Sequence, residues 1–260
     1  MGSVKTSAFQ KFSAYIWDPP HSAETWVRVS LPYKMIDTIL KCQKSKKLPT
    51  TITTIITMLI GRALNKHPEL TRYIRGKKIV QSQDRGVFLT TYFKSNHTDW
   101  DVNGIRINDS QEKSIAEVTT EIKEKSSYIK QGKDDQVRRF SWLINSCPHF
   151  ILSALIPLIR GIVFRMGFNT ERVGLPGNRF GSIIITPLHE FGIETAKIPL
   201  HRFCNASFVI AICKPYWQLT ATGQEKRLPL DITLDHRVID GKLSAIILNT
   251  ISNELDQLVN

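Results

Sequence analysis

The chain has 260 residues, 42% apolar and 22% charged, the profile of a soluble globular protein with room for one well-filled core. Its four cysteines (Cys42, Cys147, Cys204, Cys213) form no C-x-x-C pair and no disulfide or zinc spacing, which fits a reducing compartment. A net charge of +12 favours polyanionic partners: a nucleotide-bearing thioester, an acidic carrier protein, anionic lipid or nucleic acid. The basic clusters at Lys44-Lys46-Lys47, Arg75-Lys77-Lys78 and Arg138-Arg139 carry no zinc-finger, aromatic-basic or helix-turn-helix signature, so nucleic acid is not expected.

In chain order, no signal-peptide h-region opens the sequence, and a cytoplasmic protein is expected. Residues 25–33 read as a strand, and Met35, Ile36, Ile39 and Leu40 begin a helix. Leu48-Pro49-Thr50-Thr51 supplies a stop and a cap. From there Ile52, Ile55, Ile56, Leu59, Ile60, Ala63 and Leu64 trace the buried stripe of a helix that His67-Pro68 ends. Strands are expected near 72–81 and 86–94, with Asp84-Arg85-Gly86 as their hairpin turn. Ser110 is expected to cap a helix whose stripe is Ile115, Val118, Ile122 and Ile129, followed by a polar loop over 131–139.

Residues 140–168, FSWLINSCPHFILSALIPLIRGIVFRMGF, are apolar but interrupted by Pro148, Pro157, Arg160 and Arg165. A spanning helix needs about 20 uninterrupted apolar residues, so two short amphipathic helices, broken near Pro148 and Pro157, are expected instead. Three uses stay open for them: packing on the core, bordering an acyl entrance with some of Phe150, Leu152, Leu155, Ile159, Phe164 and Met166, or peripheral contact with a membrane.

The densest signal is LPLDITLDHRVIDGKLSAII at 228–247. Leu230, Ile232 and Leu234 share one strand face, and Asp231, Thr233 and Asp235 the other. His236 continues the apolar face into an expected dry setting, Asp240-Gly241 breaks the strand, and Leu243, Ile247, Ile251, Leu255 and Leu258 recur at helical spacing. Two readings compete. His236 is a general base with a fixed neighbour, or it is a structural histidine and Asp240 merely caps the helix.

HRVIDG at 236–241 resembles the HxxxDG signature of the chloramphenicol acetyltransferase-like superfamily, and in particular the catalytic domain of the dihydrolipoamide acyltransferases of 2-oxoacid dehydrogenase complexes. The resemblance extends to 51–70 (TITTIITMLIGRALNKHPEL), to 102–118 (VNGIRINDSQEKSIAEV) and to 180–200 (FGSIIITPLHEFGIETAKIPL), in the family's order and over about three-quarters of the chain. It implies a two-layer α/β sandwich of chloramphenicol acetyltransferase type, a mixed β-sheet covered by helices, in one domain over 1–260 with the apolar segment as an insertion. It further implies a homotrimer that moves an acyl group between coenzyme A, a carrier or a lipoyl arm and an acceptor; the histidines show no metal-ligand spacing, so no metal is expected. His236 takes the place of the general base. Thr186, aligned through Gly181 and Phe191-Gly192, takes that of the oxyanion-donating hydroxyl. Asp240 holds the His236 loop through an arginine, for which Lys11 and Arg28 are loose options. Pro187 and His189 depart from the family's usual Asn and Gly. A rival reading follows from that: a catalytically silent assembly or binding module, which could also be membrane-peripheral.

Overall fold

The computed structural model describes residues 23–75, 78–93, 101–131, 133, 142, 144–161, 180–200, 206–221 and 223–259. Strand β1 (Glu24–Pro32) runs directly into helix α1 (Tyr33–Ser45), which buries Ile36 and Ile39. Thr51 caps α2 (Ile52–Lys66) by accepting the Thr54 N–H at 3.2 Å. Helix α2 is apolar nearly all round, and it is buried nearly all round, from Ile55 to Leu64. At Gly61 a Cβ would stand 1.9 Å from Ser110 Oγ, so glycine lets the 110 turn approach the helix.

The expected hairpin through Asp84-Arg85-Gly86 does not form. Strands β2 (Arg72–Arg75) and β3 (Lys78–Gln81) pair with each other as a separate two-stranded sheet. Strand β4 (Val87–Phe93) instead lies between β5 (Asp101–Ile107), antiparallel, and β6 (Ile183–Pro187), parallel. The burial pattern gives the reason. Val87, Phe88 and Leu89 are buried in succession and need cover on both faces, whereas Lys78, Ile79 and Gln81 are exposed. Asp84 serves as a link, accepting Gly86 N–H at 2.8 Å and Arg106 Nη2 at 2.7 Å.

Helix α3 (Ile115–Lys130) is capped by Ser114, not Ser110. Ser114 and Glu117 form a reciprocal capping box, while Ser110 is fully buried against α2. Helix α4 (His149–Arg160) starts after Pro148 as expected but runs through Pro157 unbroken. The carbonyl that Pro157 leaves without a helical donor belongs to exposed Ser153, where water can serve it. Residues 162–179, with Phe164, Arg165 and Met166, lie outside the described residues, as does most of the expected loop at 131–139. No helix among the described residues is long and apolar enough to cross a membrane.

Strands β7 (Phe208–Ile212), β8 (Tyr216–Thr220) and β9 (Gly223–Asp235) and helix α5 (Gly241–Val259) complete the fold. The mixed sheet has the order β1-β9-β7-β6-β4-β5, with β8 added to β9. Its inner face carries Val29, Leu31, Leu89, Ile185, Ile210, Leu230 and Ile232 into one core with α1, α2, α3 and α5. On α5 that core takes Leu243, Ile247, Ile251, Leu255 and Leu258, the stripe expected from spacing. The outer face carries two smaller apolar clusters, Phe88, Ile184 and Val209 in one and Ala211 and Cys213 in the other. Both are packed by Ile198, and residues 180, 188, 196, 200 and 206 complete them.

Candidate active site

Thr186 lies in β6, 6% exposed. Alternation along the strand puts Ile183 and Ile185 in the inner core and Thr186 on the outer face. The register continues that row across the sheet: Thr186 is level with Ala211 of β7, Ala211 with Asp231 of β9, and Asp231 with Arg28 of β1. The row ends in an ion pair. Arg28 Nε and Nη2 reach the two Asp231 carboxylate oxygens at 2.6 and 2.7 Å, a fork-on-carboxylate geometry. Thr195 Oγ1 and Ala196 N–H donate to the same carboxylate at 2.9 Å each. Burial works against the Asp231 charge, yet these hydrogen bonds hold its carboxyl below the usual range. Beside it, burial and the Asp231 charge push the Cys213 thiol up to about 11.

After Thr186 the chain passes Pro187 into a short 3₁₀ turn, Leu188–Phe191, closed by Gly192 in the left-handed region at φ 73°. His189 sits in this turn. Its Nδ1 is buried with no hydrogen-bond partner among the described residues, and burial lowers its pKa, with Glu190 and the Ile212 backbone offsetting part of the shift. The ring is therefore neutral at physiological pH.

The HRVIDG turn is held by a residue that the sequence reading passed over. Asp235, 8% exposed, accepts the Arg237 backbone N–H at 3.1 Å, Arg237 Nε at 2.8 Å and Arg237 Nη2 at 2.5 Å. Its carbonyl takes the N–H groups of Val238 and Ile239 at 3.1 and 3.0 Å. His236 differs from expectation: its side chain is exposed in the single chain. The last ladder pair of β9 is Asp235 with Glu24, so His236 projects beyond the sheet end, its N–H donating to Ala23 O at 2.8 Å. Asp240 also differs. Its Oδ1 accepts the Leu243 N–H at 2.9 Å and its carbonyl the Ser244 N–H at 2.9 Å, which makes it the cap of α5. Arg28, one of the two options for its counter-ion, is bound to Asp231; Lys11 lies outside the described residues.

Thr186 and His236 are not brought together within one chain. They stand two strands and five residues apart on the sheet grid. At about 4.8 Å per strand and about 3.3 Å per residue, the separation is about 19 Å. Among the described residues, no three His, Cys, Asp or Glu side chains gather in a way that could hold a metal ion.

No protein-family model matches the sequence, and no curated protein does. Solved structures match nearly all of it. A dihydrolipoamide acetyltransferase (E2p) from Azotobacter vinelandii, studied for the roles of a serine, a histidine and an asparagine in its catalytic mechanism, aligns with a TM-score of 0.67 at 13% identity. That alignment covers 98% of this chain and 91% of that one. A probable dihydrolipoamide acetyltransferase from Listeria monocytogenes aligns at 0.63 and 14% identity, covering 96% and 89%. A truncated catalytic core of the 2-oxoacid dehydrogenase multienzyme complex from Thermoplasma acidophilum aligns at 0.62 and 15% identity, covering 96% and 92%. The chain therefore has the α/β fold of dihydrolipoamide acetyltransferase catalytic cores.

Proposed function

We propose that the protein is an acyltransferase that moves an acyl group between a thioester, on coenzyme A or a carrier or lipoyl arm, and an acceptor, at a site shared by two subunits of a homotrimer. The observation that carries this reading is the placement of Thr186 and His236. The family resemblance gives them the roles of oxyanion donor and base, yet about 19 Å separates Thr186 from the His236 turn beyond the sheet end. A hydroxyl and a base so far apart cannot serve one tetrahedral carbon, whereas the His236 turn of one copy can face the Thr186 row of the next. The exposure of His236 in the single chain suits a side chain that a neighbouring subunit covers.

The chemistry needs no covalent enzyme intermediate. As the acceptor's heteroatom attacks the thioester carbon, the His236 imidazole takes its proton. The carbonyl oxygen becomes an oxyanion and accepts the Thr186 O–H. Collapse breaks the carbon–sulfur bond, and the departing thiolate takes the proton back from His236. Asp240 shapes this site by starting α5 directly after the turn, and Asp235 by fixing the turn itself. In the Azotobacter enzyme the studied histidine and asparagine are four residues apart, as His236 and Asp240 are here. The test is a panel of acyl-CoA thioesters with thiol release as readout; His236→Ala must abolish the release that the wild type shows.

The apolar segment supports a second property. Helix α4 exposes Phe150 (75%) and Leu158 (58%), with Ile151 and Leu155 exposed beside them, while it buries Leu152 and Ile156. Such a face on a chain of net charge +12 suits peripheral binding to an anionic bilayer. Cosedimentation with phosphatidylserine vesicles, lost in Phe150→Ser, checks it. Equal recovery of both proteins in the supernatant would remove it.

A further inference from the structure

Residues 193–200 have no regular secondary structure, yet they are tied along the outer face of the sheet almost residue by residue. The Ile193 carbonyl accepts Lys214 N–H at 2.7 Å. Arg28 Nη2 reaches Glu194 O at 3.4 Å, and Lys214 Nζ meets the Glu194 carboxylate at 3.2 Å. Thr195 and Ala196 both donate to Asp231. Lys197 Nζ lies 4.6 Å from the centre of the Trp26 ring, and Leu200 N–H donates to Glu24 Oε1 at 3.2 Å. Arg28, Trp26 and Glu24 are successive outer-face residues of β1, so the strap descends β1 row by row.

The two ends of that descent matter. The upper end rests on the Asp231–Arg28 pair, level with Thr186. The lower end rests on Glu24, whose ladder partner Asp235 holds the His236 turn. Between them Ala196 and Ile198 pack against Ala211 and Cys213, and Ile198 and Leu200 against Ile184 and Val209. These are the outer-face neighbours of Thr186. We propose that this strap, anchored on the Arg28–Asp231 pair, is the positioning element that forms one wall of the acyl-transfer site, with Arg28, Asp231 and Thr195 as its positioning residues. The inference rests on the acyl-transfer reading and adds a device to it.

One carboxylate receives four donors from β1 and the strap, and Cys213 Sγ adds a weak fifth at 3.6 Å. Removing the arginine would leave a half-buried carboxylate that water can enter, and the strap would lose its fixed height above the Thr186 row. The fold itself would persist, because the inner core with its four helices lies on the other side of the sheet.

Steady-state kinetics with acyl-CoA test it on three variants of the full chain: Arg28→Ala, Arg28→Lys and Thr195→Val. The first should lower kcat/KM for the thioester at least about tenfold, equivalent to ~1.4 kcal/mol of transition-state binding, chiefly through a higher KM. Lysine at 28 keeps the charge without the fork and should restore part of that loss. Thr195→Val should lose a few-fold, and amide exchange at Ala196 should quicken in all three. If Arg28→Ala does not fold, Thr195→Val and Arg28→Lys decide alone. An active wild type whose variants fold and keep full kcat/KM overturns the positioning role and leaves acyl transfer standing. A wild type inert toward every acyl-CoA removes both.

Discussion

The two ends of the proposed site are built by opposite means. At the His236 end, the turn is fixed by near neighbours: Asp235 holds Arg237, Val238 and Ile239, and Asp240 caps the helix that starts one residue later. At the Thr186 end, the same row of the sheet is fixed by residues 203 apart in sequence, Arg28 and Asp231, with Thr195 and Ala196 drawn in from a third segment. His236 sits exposed on a locally determined turn, and Thr186 sits buried in a row of the sheet that is fixed non-locally. A neighbouring subunit can engage the first without disturbing the second, the arrangement a shared site requires.

The sharpest way to break this contrast is at its two working groups. His236→Ala should cost about 10²–10⁴-fold in acyl transfer, the usual loss of a general base, with an unchanged melting temperature because the side chain is exposed. Retained turnover in a folded variant would return His236 to the structural reading. Thr186→Ala should cost about 10²–10³-fold, the effect of removing one oxyanion donor, while Thr186→Ser stays near wild type. Equal losses in the two variants would mean that packing, not the hydroxyl, matters at 186.

Stability effects separate the turn's two aspartates. Asp235→Asn loses the charge that holds Arg237, so chemical denaturation should show a loss of about 1–3 kcal/mol. Asp240→Ala should lose about 0.5–2 kcal/mol as a removed helix cap, and Asp240→Asn almost nothing, because asparagine caps equally well. A large loss in Asp240→Asn would instead reveal a buried ion pair.

The smallest effect concerns pH. Cys213 titrates near 11 in the folded chain, against about 8.5 in an unfolded one. The folded state thus holds its proton longer. The contribution is complete below about pH 8.5 and is lost as pH rises toward 11. Native Cys213 should resist iodoacetamide at pH 8 and react only once the chain is unfolded. Rapid native labelling would contradict the buried, Asp231-facing thiol.

This division also sets what could be read from the letters. Helices α1, α2 and α5 were legible because their stripes and stop signals are local, and β9 because apolar and polar residues alternate along it. The α3 cap is equally local, in Ser114-x-x-Glu117, but Ser110 also precedes the helix and carries the same capping hydroxyl. Strand partners were not legible. Nothing near Asp84-Arg85-Gly86 says that β4 pairs with β5 and β6, and nothing near Arg28 says that its partner is Asp231. His236 stands out through motif and alternation and Thr186 through the resemblance over 180–200, while Asp231, Thr195 and Arg28 gain meaning only once the register sets them on one row.

Subunit complementation tests the shared site most directly. His236→Ala and Thr186→Ala chains, each inactive alone, would be coexpressed and purified as mixed oligomers. In a randomly assembled ring, about one interface in four pairs an intact His236 with an intact Thr186, so acyl-CoA turnover near a quarter of wild type is the expected result. Mixed oligomers as inactive as their parents would contradict a site built from two subunits.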